Sequence, residues 1–299
     1  MFLTAAPPPP ALSPFVASLG YLEAPFGYAR ERVLPSGGMQ LLVNLDVDEF
    51  RTYHGDQVRR VAGAALQGPG AQASIIDTAQ QRAVAWVNFR PGGARPFFTQ
   101  PLWELRDTLI GLDDLWGRDG AVLRERLLCA PSPLDRLRVL EAALVSRAVR
   151  PLHPERALRH AVGAFERGAA VSAVTDALGF TAKRFGRLCT DHLGLTPKRF
   201  ARVRRFQRLI ESVGAAGSSD AADTGAPRTA GAARTGAART ADAARTPDRA
   251  RDAVDWARLA VEHGYHDQAH MIHDFQAFSG LTPTQYRPRS PHELNHVPL

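Results

Sequence analysis

Cysteine is nearly absent from this sequence, with two residues, Cys129 and Cys189, in 299. Two thiols exclude a disulfide scaffold and a thiolate zinc cluster. Lysine is as scarce: Lys183 and Lys198 are the only lysines among 37 basic side chains. Residues 1–150 contain a single histidine, His54, so metal chemistry built from clustered His and carboxylate ligands is disfavoured there. No GxSxG, P-loop or dinucleotide fingerprint occurs, and Pro91-Gly92-Gly93 is a turn signal rather than a phosphate cradle. No catalytic constellation emerges, so the expectation is a protein that is not an enzyme and needs no cofactor. No run approaches the roughly 18 apolar residues of a membrane span. The opening MFLTAAPPPP lacks a basic leader and is broken by prolines, so a cytoplasmic protein without a membrane partner is expected.

What is present points to two domains. At roughly 150 residues per domain the length allows two cores. The composition, 44% hydrophobic and 22% charged, is that of an ordinary globular protein. The net charge of +7 is unevenly placed: residues 1–150 carry 16 basic and 15 acidic side chains, residues 151–299 carry 21 and 15. Within 171–210 nine basic residues face two acidic ones, a polyanion footprint or else a solvated helix face.

Periodicity divides the chain in the same way. Met39–Val43, Val58–Leu66, Ser74–Asp77 and Ala83–Phe89 read as strands between turn signals. From Leu102 the apolar spacing lengthens to that of helices, with a Leu-rich stretch at 123–144 that fits either packing on the sheet or a dimer contact. Pro151 and Pro154 mark the boundary. The expected fold class is α+β: a β-rich domain, cupin-like in its barrel, with helices over 1–150, then an all-α domain over 151–299. Residues 214–252 contain no aromatic residue and no Ile, Leu, Met or Val, and repeat GAART at 231–235 and 236–240. Such a tract cannot offset the entropy of ordering and reads as a disordered insert.

Without that insert the helical half is a repeat. VSAVTDALGFTAKRFGRLCTDHLGLTPKRF (171–200) matches VDWARLAVEHGYHDQAHMIHDFQAFSGLTPTQY (254–286). Each copy has a short amphipathic helix, a Gly-aromatic corner (Gly179-Phe180, Gly264-Tyr265) and a second helix. Each closes on Gly-Leu-Thr-Pro with an aromatic three residues on. Two short helices around a tight Gly turn make a helix-turn-helix. Thr196 and Thr282 stand before prolines, as an N-cap followed by Pro at the first helical position.

These motifs resemble the AraC/XylS family of bacterial transcription regulators, over about 160–287 less the insert. LTPTQYR is similar to that family's closing signature, and GYHDQAHMIHDFQ to its second recognition helix. VLPSGGMQLLVNL, NFRPGG and LDDLWG resemble the sensor-like domain of one branch. The resemblance implies two helix-turn-helix units, about 160–213 and 253–287, joined by a linker helix over 196–213. It implies double-stranded DNA as partner, with a small-molecule effector, RNA polymerase and a homodimer as further candidates.

Carried onto this chain, base-edge readers are Lys183 and Arg187, flanked by Arg184, with Gly186 empty-handed at a position that usually carries a side chain. Arg187 can bridge guanine O6 and N7. Lys183 and Arg184 serve equally as phosphate anchors. Arg199 and Arg202 belong to the expected phosphate-facing cluster of the linker helix. Phe180, Phe185, Leu188 and Cys189 face inward. In the second unit, which nets −2, His270 and His273 with Ala269 are outward. The His263, His266, His270 and His273 series invites a metal reading, but Gly264 interrupts the helix and no metal site is assigned. Trp86 and Arg90, with Asn88, share a strand face that lines an effector pocket or faces solvent. Two rival readings remain: a degenerate regulator acting through protein partners with sequence-indifferent DNA binding, and a small-molecule-binding protein whose helical half is structural.

Overall fold

The computed structural model describes residues 2–55, 57–222, 254–290 and 293–299. The N-terminal half is built from ten short strands, β1 (Phe2–Ala6), β2 (Val16–Glu23), β3 (Arg30–Val33), β4 (Gln40–Asn44), β5 (Phe50–His54), β6 (Gln57–Val61), β7 (Ala64–Gln67), β8 (Ser74–Asp77), β9 (Ala83–Phe89) and β10 (Leu109–Gly111). They form two antiparallel sheets, β1-β2-β9-β4-β7-β10 and β3-β8-β5-β6, the second completed by a C-terminal strand, β11 (His296–Pro298), on β3. This sheet-rich half agrees with the β-rich N-terminal domain expected from the sequence, its strands divided between two hydrogen-bonded sheets. The strand expected over Val58–Leu66 is two strands in different sheets, β6 on β5 and β7 between β4 and β10, with Gly63 between them accepting from Asn44 N–H.

Alternation decides which face of the first sheet is covered. Leu19, Tyr21, Leu41, Val43, Ala85 and Val87 point one way and are buried against three helices, α1 (Leu112–Trp116), α2 (Arg118–Cys129) and α3 (Pro133–Ser146). The Leu-rich stretch supplies that layer: Leu123, Leu127, Leu137, Leu140 and Leu144 are all in this core.

The helical half begins with α4 (Arg156–Glu166), followed by α5 (Val171–Ala177), α6 (Ala182–Leu193), α7 (Pro197–Ala222), α8 (Trp256–Glu262) and α9 (Gln268–Ser279). Its core is aromatic: Phe165, Phe185, Phe200, Phe206, Phe275 and Tyr286 are each at most 1% exposed and gather around α7. The expected caps form at Thr196, whose hydroxyl accepts from Arg199 N–H at 3.3 Å before Pro197. Past Thr282 the chain makes only one 3-10 turn, Pro283–Gln285. The linker helix does not stop at 213: α7 continues to Ala222 through an Ala-rich segment, because propagation adds one hydrogen bond per residue fixed once a helix exists. The remainder of the expected insert, 223–252, lies outside the described residues.

The halves are packed together. Leu34 and Ala71 of the N-terminal half sit in the C-terminal core. Gln207 donates to Pro35 O (2.8 Å), Arg32 to Ser279 O (2.8 Å), and Arg199 pairs with Asp107 (3.1 Å).

Candidate nucleic-acid interface

Two similar corners arise from two glycines. Gly179 (φ 62°) and Gly264 (φ 74°) occupy the left-handed region, which costs other residues roughly 1–2 kcal/mol, and each reverses the chain after a helix of about two turns. The helix that follows is capped each time by the side chain just before it. Thr181 accepts from Arg184 N–H (3.2 Å) and Asp267 from His270 N–H (2.7 Å). Each ends on a left-handed glycine, Gly194 and Gly280.

On α6 the inward face holds Phe185, Cys189 and Leu193. Burial pushes the Cys189 thiol up to about 12, so it stays protonated and unreactive at neutral pH. The opposite face exposes Lys183, Arg184, Arg187 and Asp191. Among the described residues no carboxylate lies within ion-pair distance of those three cations. Arg184 lies over the Phe180 ring at 4.0 Å, which makes the half-buried Phe180 a platform rather than a wholly inward residue. The three cations line an open concavity of about 410 Å³ together with Glu155, Thr181, Leu188, Asp191 and His192. Burial, then the nearby Arg95 charge, lowers the His192 pKa, so His192 adds no cation there at neutral pH.

The arginines of α7 have different surroundings. Arg199 pairs with Asp107; Arg202 and Arg205 both pair with Asp274 of α9, at 2.6 and 2.9 Å. Arg205 also donates to Gly264 O (3.0 Å) and lies over the Tyr265 ring at 4.2 Å. Arg204 lies 3.8 Å from Glu166, and Arg208 donates to Phe165 O at 2.6 Å. The arginines of the cluster expected to be partly phosphate-facing are thus each engaged by a partner within the protein, while Arg199 and Arg202 keep about a third of their side chains exposed. Lys198 is the exposed cation of this helix.

Asp274 is 1% exposed. Burial alone would raise its pKa, but hydrogen bonds and charge from Arg202, then Arg205, hold it below the usual carboxylate range. The rest of the acidity in this unit is also consumed locally. Asp255 and Asp267 are N-caps, and Glu262 pairs with Arg258 at 3.2 Å. The net −2 of the second unit thus does not appear as a negative face on α9. That helix exposes Gln268, Ala269, His273, Gln276 and Ala277. His270 is half-buried, edge-on to Tyr265, with its Nδ1 accepting from His266 N–H at 3.3 Å. Gln268 and Gln276, whose amides suit adenine edges, were not singled out from sequence, since only an exposed helix face distinguishes them from other polar residues.

The histidines do not converge. His263 turns back to Ser212 on α7 (2.9 Å), and among the described residues no three His, Cys, Asp or Glu side chains gather as metal ligands. In the N-terminal half Arg90 is exposed and bonds Ser13 O (2.8 Å), while Trp86 packs over Gly20 and Asn88 bonds the Ser18 hydroxyl (3.0 Å). Where the two sheets meet, Thr52, Arg59, Gln67 and Asp107 enclose about 30 Å³, room for a water. Among the described residues no helix is long and apolar enough to cross a membrane.

Comparison with known proteins places these features as follows. Residues 4–111, essentially the two sheets, match a family model described as a domain of unknown function, DUF6597. No curated protein matches the chain. Among solved structures the chain is similar to ToxT from Vibrio cholerae, at 8% identity, covering 96% of this chain and 98% of that one with a TM-score of 0.43. It is similar also to unsaturated fatty acid-bound wild-type ToxT, at 7% identity, 95% and 94% coverage and a TM-score of 0.41. At such identities and scores no residue or ligand of ToxT is carried onto this chain.

Proposed function

We propose that the protein is a sequence-specific DNA-binding transcriptional regulator in which α6 is the principal reading helix. The observation that supports this most directly is the outward face of α6: Lys183, Arg184 and Arg187 are exposed and, among the described residues, unpaired by carboxylates, whereas the arginines of α7 each have a partner within the protein. A helix entering the major groove needs such a face, with Arg187 positioned for guanine and its neighbours for phosphate. The AraC/XylS-like motifs of the two corners support the same reading. The second corner presents an uncharged polar face, Gln268, His273 and Gln276, suited to a lighter contact in the next groove.

The N-terminal half is suited to pass a signal to that helix. The 3-10 turn Leu102–Leu105 packs on α6, with Leu102 O closely facing Gly194, and Gly92 lies against Leu158 and His192 O. A small molecule that changes the 92–105 segment would therefore act on α6 by favouring one arrangement.

Selection of genomic fragments by the full chain at about 150 mM salt, where exposed charge is screened beyond some 8 Å, tests the reading. One enriched motif, relaxed at one position by Arg187→Ala, is expected. Equal recovery of all fragments would support the rival reading of a sequence-indifferent partner-binding protein.

A further inference from the structure

We propose that Asp274 is the positioning residue that sets the separation of the two reading helices, and through it the half-site spacing the protein accepts. The inference rests on the DNA-binding reading above and on an arrangement that motif comparison does not reveal. α7 follows the first corner after only Gly194–Thr196, with Leu195 buried in the shared core, so a short link holds α6 against α7. No comparably short link holds the second corner. Thirty-one residues of sequence, 223–253, separate Ala222 from Val254. Besides the bonds of His263 to Ser212 and of Arg32 to Ser279 O, contacts between α7 and α9 set its position.

Those contacts are of two kinds. Phe206 meets Phe275 and Phe278 with ring centroids 5.3 Å apart in both pairs. Such apolar burial is strong but weakly directional, and it tolerates rotation of one helix over another. The Asp274 carboxylate is directional. One oxygen takes Arg202 Nη2 at 2.6 Å and the other takes Arg205 Nη2 at 2.9 Å. Arg202 and Arg205 lie three residues apart on one face of α7, and Arg205 is itself anchored to Gly264 O at the second corner. A carboxylate held at both oxygens by two guanidinium groups on one helix fixes rotation and axial position together. A buried ionic cluster of this kind adds little net stability over an apolar one, but a misplaced α9 would leave charges unpaired, which penalises other arrangements.

The full chain tests this in two arms. In the first, spin labels at Ala182→Cys on α6 and Ala277→Cys on α9, in a Cys129→Ser background, report the inter-helix distance without DNA. Wild-type contacts should give a single narrow distribution, and Asp274→Asn a distribution broadened at least twofold. The triple variant Arg202→Met, Arg205→Met, Asp274→Leu, which removes the charges while keeping apolar volume, should fold and be broadened likewise. In the second arm the same proteins select from bipartite sites whose spacing varies by single base pairs. A shift of two base pairs turns one half-site about 70° around the DNA axis. The chain with Asp274 should discriminate against that shift by about tenfold, within the usual cost of a mismatched contact. Both variants should discriminate less than threefold while keeping their affinity for the isolated first half-site. Unchanged distance distributions, or unchanged spacing discrimination in the folded triple variant, would overturn the proposal. If no DNA is bound by any of the proteins, the DNA-binding reading fails, and the distance arm still decides whether Asp274 holds the helices.

Discussion

Arg187 and Arg202 carry the same side chain in opposite surroundings. The first is exposed on α6 with no carboxylate at ion-pair distance among the described residues; the second ends on a buried carboxylate. Composition counts both toward a polyanion footprint, and only the burial of their partners separates them. Arg187→Ala should leave thermal stability within about 0.5 kcal/mol, as expected at an open surface site, and cost about 1–3 kcal/mol in discrimination at one base. Differential scanning fluorimetry and a competition assay on single-base variants measure the two. Glu31 shows the same lesson in the other half. It is 0% exposed and accepts from His296 Nδ1 (2.7 Å) and Arg289 Nη1 (3.1 Å), with further bonds from Tyr28 and Gln81. Burial would raise its pKa, but the His296 bond and charge, then Arg289, bring it down to about 2. A carboxyl with a depressed folded pKa stabilises the fold above its unfolded value near 4.3, and that stability is lost as pH falls toward 2. The melting temperature should therefore fall between about pH 4.5 and 2, and this acid-sensitive component should be absent in Glu31→Gln, whose melting temperature is already lower at pH 7.

At the scale of elements, α5, α6, α8 and α9 were legible because their apolar spacing and their left-handed glycines are local signals. The end of α7 was not: residues 214–222 carry no large apolar side chain, and a helix continued by alanine propensity leaves no periodic trace. β11 was equally hidden, since a three-residue strand with one buried apolar residue, Val297, has no pattern of its own. It exists because β3 offers an edge: Val297 pairs with Arg32, and Leu34 N–H donates to Asn295 O. The partner of Arg202 and Arg205 could not be read either, because Asp274 meets them only once α9 lies across α7. Removing residues 295–299 strips the His296 bond from Glu31 and uncovers the β3 edge. A drop of several degrees in melting temperature is expected, at roughly 2–4 °C per kcal/mol for a chain of this size, by scanning calorimetry. An unchanged melting temperature would mean that β11 only rests on the sheet.

For the whole molecule, charge placement organises the account. The excess of positive charge in the helical half divides between an outward face on α6 and a set on α7 with partners inside the protein, the latter joining α4, the second corner and the N-terminal half through Arg208, Asp274 and Asp107. DNA binding by the full chain across a series of salt concentrations tests that division most directly, because each phosphate contact contributes about 0.9 to the slope of log affinity against log salt. Two variants are compared with wild type well below their melting temperatures: Lys183→Ala with Arg184→Ala and Arg187→Ala, and Arg199→Ala with Arg202→Ala. The account predicts a slope reduced by about 2 in the first with its melting temperature retained. In the second it predicts an unchanged slope and a lowered melting temperature. A reduced slope in the second, with the first binding as wild type does, would contradict it.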